Sequence, residues 1–257
     1  MFERAARAWR MAATGFSFAA FGVGGLLLRV LVFPVLALLI RRRERRVAAA
    51  RGLIRLTFRA YIGMMRLLGV LSYEVSGLEK LERGGLLILA NHPTLIDTVF
   101  LMAFVKRADC IVKAELWNNL FTRGPVRAAG YINNGGGAEL VAACVASLER
   151  GNNLIIFPEG TRTPRDGVIS LKRGAANIAV RGRRAMTPVL IRCQPPTLGK
   201  GEKWWRVPPR RAAFRIEVQD DLAIADFIGD DGAETLAARS LTAYLQHYFT
   251  GKYHGHA

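Results

Sequence analysis

Two short stretches carry residue types that could do chemistry together. The first is Asn91-His92-Pro93-Thr94-Leu95-Ile96-Asp97. An imidazole takes up a proton near neutral pH, and a carboxylate held on one ring nitrogen fixes the tautomer and frees the other as a base. Pro93 forces an extended turn after the histidine. Thr94 can then cap a helix starting at Leu95, with Asp97 in its first turn and folded back toward the ring. Blander readings stand beside this one: Asp97 as the acid of a Thr-x-x-Asp capping box, and His92 as a turn histidine with a satisfied ring. The second stretch is Phe157-Pro158-Glu159-Gly160-Thr161-Arg162, an acid and a base in a tight glycine turn. Arg165, Lys172 and Arg173 follow it, and Gly174 opens a helix. Arginine forks and a helix N-terminus suit a phosphate. An ordinary polar turn with a surface pair would read the same.

Both stretches leave short, continuous apolar runs of the kind that form buried strands. Gly85 to Ala90 precedes the histidine, and Asn153 to Phe157 precedes the acid. Pro188 to Cys193 is a third such run, and Ala213 to Val218 alternates. Between them lie helical patterns: Thr94 to Val105, Glu139 to Leu148 with Gly151 as its stop, and a C-terminal helix. In that last helix, Asp231 and Glu234 have capping-box spacing. Buried strands alternating with helices predict an α/β fold with a mostly parallel sheet flanked by helices. Such sheets place their sites beyond the strand ends, where His92 and Glu159 fall.

The first quarter of the chain reads differently. From Met11 to Ile40 the only charge is Arg29, and the run is long enough to cross a bilayer. Arg29, Gly22 to Gly25 and Pro34 leave two geometries open: a single tilted span, or a re-entrant hairpin bent at the glycines. The basic cluster Arg41 to Arg46 follows, as a juxtamembrane anchor or a solvated linker. Leu53 to Leu71 then reads as an amphipathic helix on the headgroups, or as a surface helix of the soluble part. The expected organisation is therefore a membrane-attachment segment over residues 1–72 and a catalytic domain over residues 73–257. Arg4, Arg7 and Arg10 flank the other end, so charge bias does not settle the orientation; it favours a cytoplasmic side for Arg41 to Arg46, and the domain is expected on that face.

The chain carries 37 Lys and Arg against 20 Asp and Glu, a net charge of +17, which points to anionic partners. Cys110, Cys144 and Cys193 have neither disulfide nor zinc spacing and read as buried thiols in a reducing compartment. No metal site is expected. Lys203-Trp204-Trp205-Arg206, beside Pro208-Pro209-Arg210-Arg211, suits interfacial lipid contact or a hairpin loop packed on the domain.

Together, the Asn-His-x4-Asp block and the later Pro-Glu-Gly-Thr-Arg block resemble the glycerophospholipid acyltransferase superfamily over Tyr73 to Cys193. The resemblance implies transfer of a fatty acyl group from a thioester, acyl carrier protein or coenzyme A, to a lipid hydroxyl, with no cofactor beyond that co-substrate. It implies His92 as base and Asp97 as its orienting acid. It implies an acceptor site at Asn91 and at Glu159, Gly160, Thr161 and Arg162. Pro188 in Thr187-Pro188-Val189 matches a strand assigned to acyl binding, and Lys113 matches a basic position. One block departs: Gly130-Tyr131-Ile132-Asn133-Asn134-Gly135 lacks the arginine usual there, although Arg123 and Arg127 lie upstream. The acceptor thus stays open between lysophosphatidic acid and a less anionic lipid.

Other function classes fit less well. A non-catalytic basic protein on membrane or nucleic acid would explain the charge, yet no nucleic-acid-binding motif is present and no nucleic acid is expected. A lipid hydrolase would use the same His-Asp pair, but no Gly-x-Ser-x-Gly elbow occurs. Membrane lipids and the thioester donor are the expected partners.

Overall fold

The computed structural model describes residues 2–228 and 233–254. Helix α1 (Phe2–Leu27) passes through a π-helical turn (Leu28–Val32) into α2 (Phe33–Leu39), and α3 (Arg43–Leu67) follows a short link. The chain continues through β1 (Leu71–Ser76), β2 (Leu87–Ala90), α4 (Asp97–Phe104), β3 (Ala108–Val112), α5 (Ala114–Asn118), α6 (Arg123–Ala128) and β4 (Ile132–Asn133). Then come α7 (Gly137–Glu149), β5 (Asn153–Ile156), α8 (Gly174–Gly182), β6 (Met186–Gln194), β7 (Ala212–Val218) and α9 (Glu234–His254). Asp231, half of the expected capping box, lies outside the described residues.

The described strands form one sheet in the order β1-β7-β6-β2-β5-β3-β4. Every pairing is parallel except β6 with β7. The α/β fold expected from the strand and helix pattern is the one observed. β2 and β5 sit side by side at the centre, and every residue of both is buried. Their unbroken apolar runs follow from having neighbours on both faces. One face of the sheet packs against α3 and α4, where Phe100, Ile54 and Met65 are almost wholly inaccessible. The other packs against α7, α8 and α9 around Leu148, Ile178 and Phe249. Full burial of each such side chain is worth about 1.5–3 kcal/mol.

The N-terminal quarter departs from the hairpin geometry and forms one continuous helical run, long and apolar enough to cross a bilayer. The helix does not bend at Gly22 to Gly25. Its irregularity is the π-helical turn, which carries Arg29. Arg29 Nη1 donates to Leu120 O at 2.8 Å, which holds its side chain against the domain. Gly25 serves close approach: a Cβ there would stand 2.8 Å from the Phe121 carbonyl oxygen. The reversal comes after α2, and α3 returns antiparallel, with Trp9 Nε1 donating to Leu68 O at 2.9 Å and Phe21 stacked on Phe58. Both Arg10, which donates to Pro209 O, and Arg29 touch the domain, so the apolar run lies along it.

The basic cluster Arg41 to Arg46 is largely the opening of α3, not an extended linker. That helix ends at Leu67, before Leu71, and Gly69 at φ +72° makes the turn into β1. Its Ala50, Ile54, Ile62 and Met65 are core residues, which favours the domain-helix reading of this segment. A buried ion pair ties α3 to the sheet: Arg51 Nη2 lies 2.8 Å from Asp109 Oδ2, and Arg51 Nε donates to Ala129 O. Ser147 donates to the same carboxylate at 2.6 Å.

Candidate active site

β2, β5 and β3 are adjacent and parallel, so the segments leaving their C-terminal ends share one edge of the sheet. That edge gathers His92 after β2, Glu159 to Arg162 after β5, and Lys113 after β3. Asn91 makes the transition from strand to turn. Its side-chain amide donates to Ile191 O at 2.8 Å and accepts from Ile191 N at 2.7 Å, continuing the ladder to β6 after β2 has ended. Asn91 is buried with its amide engaged on both sides, so it holds the turn and is not open to a substrate.

His92 Nδ1 donates to Asp97 Oδ2 at 2.9 Å, and its ring stacks on Phe157 at 4.1 Å between centroids. Asp97 is the first residue of α4 and wholly buried. It also accepts from Thr94 N at 2.6 Å and Thr94 Oγ1 at 2.5 Å. Helix α4 thus begins two residues later than the capping expectation; half of the capping box is present, the bond from Thr94 N–H to the acid, while the Thr94 hydroxyl donates to the carboxylate instead of accepting from the backbone. Burial pushes the Asp97 carboxyl above its ordinary range, while the bonds from His92 and Thr94 pull it back. All three partners are donors, the set a carboxylate needs. With Nδ1–H committed, Nε2 is left as the free ring nitrogen.

Glu159 also turns inward. Its Oε1 accepts from His92 N at 2.9 Å and from Thr163 Oγ1 at 2.8 Å, and Thr163 N donates to His92 O at 2.7 Å. The acid expected to face an acceptor therefore fixes the histidine backbone. Its Oε2 is buried without a partner among the described residues, and burial raises the carboxyl. Arg162 Nη1 donates to Leu198 O and Gly199 O at 2.9 and 2.8 Å, gripping the segment between β6 and β7. Gly160 has φ +66°, and the Lys172 side chain lies over it, with Nζ 3.0 Å from where a Cβ would stand. Thr161 and Lys113 are exposed. Pro188 is buried in β6 opposite Leu89, within the sheet and short of its edge.

The 92–98 turn separates two cavities. One of about 490 Å³ is almost wholly apolar and lies between the N-terminal hairpin, α4 and residues 110–131, with Phe21, Phe58, Tyr61, Met64 and Met102 in its wall. Thr98, next to Asp97, also lines it. The other, about 480 Å³, lies between Pro93–Thr94, residues 163–167 and the β6–β7 segment. Sequence reasoning missed the apolar chamber, the stacking of Phe157 on His92, and Thr163. Each depends on partners far along the chain, although Thr163, directly after the Glu-Gly-Thr-Arg turn, was a local hint. Cys193 lines the second cavity, but burial pushes its thiol up to about 12, far from a thiolate.

Residues 72–192 match a family model described as Acyltransferase. The chain is 29% identical over 177 residues to the 1-acyl-sn-glycerol-3-phosphate acyltransferase of Helicobacter pylori, covering 65% of this chain and 71% of that protein. It is 27% identical over 135 residues to the Pseudomonas aeruginosa enzyme of the same name, covering 50% and 52%. The crystal structure of the 1-acyl-sn-glycerophosphate acyltransferase from Thermotoga maritima has the same fold. Its TM-score is 0.67 at 20% identity, over 96% of this chain and 97% of that one.

Proposed function

Since the chain belongs to the glycerophospholipid acyltransferase superfamily, we propose that it esterifies the free hydroxyl of 1-acylglycerol-3-phosphate or a closely related lysophospholipid, with acyl carrier protein or coenzyme A as the thioester leaving group. The carrying observation is the His92–Asp97 pair, with its carboxylate fully buried. His92 Nε2 takes the acceptor hydroxyl proton as the oxygen attacks the thioester carbonyl. The tetrahedral intermediate collapses, the C–S bond breaks, and the thiol leaves with a proton returned from the imidazolium. Asp97 holds the tautomer throughout. The apolar cavity beside Thr98 suits the acyl chain by lining and volume.

The exposed apolar side of α1 and α2, which includes Leu38 at 80% exposure, attaches the chain to a membrane in the interface plane. The helix is long and apolar enough to cross a bilayer, but its contacts with the domain at Arg10 and Arg29 favour the in-plane arrangement. Arg41 to Arg46 then meet anionic headgroups on the cytoplasmic side.

The test is purified protein with a panel of lysophospholipids and both donors. Diacyl product is expected. Free fatty acid in every reaction, with no diacyl product, overturns the reading.

The acceptor phosphate is assigned to Lys172 and to the remaining nitrogens of Arg162. Removing one charge-assisted bond costs about 1.5–3 kcal/mol, so Lys172→Ala should lower kcat/KM for a phosphate-bearing acceptor about ten- to a hundredfold, mainly through KM. Activity on an uncharged monoacylglycerol should not change. Equal losses on both acceptors would remove Lys172 from the phosphate site.

A further inference from the structure

The segment between β6 and β7 is not used by the chemistry above, yet it is built from residues that favour a lipid–water boundary. Over residues 200–211 it carries Lys200, Lys203, Arg206, Arg210 and Arg211 against the single acid Glu202. All five cations are exposed, while Glu202 is largely covered and paired with Arg165. Trp204 and Trp205 project among them, 40% and 47% exposed. They meet edge to face at 5.5 Å, and Lys203 Nζ lies 5.1 Å over the Trp205 ring. Exposed paired tryptophans amid cations are costly against water alone. They are the composition of an interfacial belt, where the ring sits at headgroup depth and the cations meet lipid phosphates.

The position of the segment supports the same occupant. Trp204 packs on α1 beside Phe18, in a notch that needs Gly15: a Cβ there would stand 3.0 Å from the indole. Arg10 of α1 donates to Pro209 O. The segment is thus continuous with the apolar helix proposed to lie in the membrane. At its other end, Arg162 grips Leu198 and Gly199, and Leu95 N donates to Leu198 O at 3.1 Å. One stretch of chain therefore runs from the catalytic turns to the membrane helix.

We infer that this segment is a second membrane contact, with Trp205 seated in the interface of an anionic bilayer beside the mouth of the active site. It rests on the reading of α1 and α2 as membrane-bound. It also gives a lipid acceptor a route along the bilayer surface to His92 that crosses no bulk water.

The test uses the full-length chain on phosphatidylglycerol–phosphatidylcholine vesicles whose acyl chains carry bromine, a contact quencher of indole. The emission difference between the wild-type chain and Trp205→Phe isolates Trp205. The difference between Leu31→Trp and the wild type isolates the exposed side of the apolar helix. The expected result is that bromine quenches both signals and that the Trp205 signal is shielded from aqueous iodide. A Leu31→Trp signal that is quenched beside a Trp205 signal that is not, and that stays open to iodide, overturns the inference alone. Two unquenched signals overturn the membrane reading beneath it as well. As a second arm, Lys203→Ala with Arg206→Ala should lower kcat/KM on vesicle-held acceptor roughly fivefold per charge, and leave a monodisperse short-chain acceptor unaffected. Equal loss on both would point to damage at the active site and count against the inference.

Discussion

His92→Ala is expected to lower kcat about 10²–10⁴-fold, the usual worth of general-base help, with acceptor KM little changed. The proton moves only as the carbon–oxygen bond forms, so the base is felt in the transition state and hardly in ground-state binding. Asp97→Asn should cost on the same scale by a different route. An amide placed there can turn its NH2 onto the Thr94 hydroxyl, which can accept, and keep its oxygen on His92 Nδ1–H and Thr94 N–H. What it lacks is the negative charge that stabilises the imidazolium as the proton moves. Steady-state kinetics on variants matched to wild type by circular dichroism check both. Full activity in His92→Ala would end the mechanism proposed here. An acylated protein trapped with donor alone, read by intact mass, would replace direct transfer with a covalent route. That outcome is not expected, since burial pushes the thiols of Cys144 and Cys193 up to about 12 and that of Cys110 higher still.

Arg51→Ala is expected to be the most destabilising single change in the molecule outside the apolar core, at about 3–5 kcal/mol. It leaves the Asp109 carboxylate buried at 2% exposure with only the Ser147 hydroxyl and the Cys110 amide. It also frees the Ala129 carbonyl and uncovers the Tyr131 ring. For a chain of this size the loss amounts to about 2–4 °C of Tm per kcal/mol, readable in a thermal melt of detergent-solubilised protein. The double variant Arg51→Met, Asp109→Leu should recover much of it, because the cost lies in the orphaned charge more than in the lost attraction. A Tm for Arg51→Ala equal to wild type would mean that Asp109 finds water or another partner.

The sequence made the centre of the sheet legible and its margins obscure. Gly85 to Ala90 and Asn153 to Phe157 are apolar throughout because both faces are covered, and the residues after them stand at the sheet edge by necessity. β3 was missed because Asp109 interrupts its apolar pattern, and only Arg51, on a helix far earlier in the chain, makes an acid tolerable there. β1, which begins at Leu71 where the amphipathic pattern was read to end, was not read because only its first residue is fully buried, and β4 is two residues long. In the site, the pairing of His92 with Asp97 was visible because it is local. The inward turn of Glu159 and the engagement of Asn91 with β6 were not. Both join segments far apart in sequence, and an exposed and a buried carboxylate are written with the same letter.

Phe21, Gly24, Gly25 and Leu28 belong to the apolar helix and also wall the larger cavity. Anchor and enzyme are therefore not interchangeable parts. The expected division at residue 72 would, if cut, leave the chamber proposed for the acyl chain open along one side. A graft of this helix from a relative would carry with it part of that relative's preference for chain length. On the proposed function, drift in a segment that looks like generic greasy tether is constrained from two directions at once, by the lipid outside and by the substrate inside.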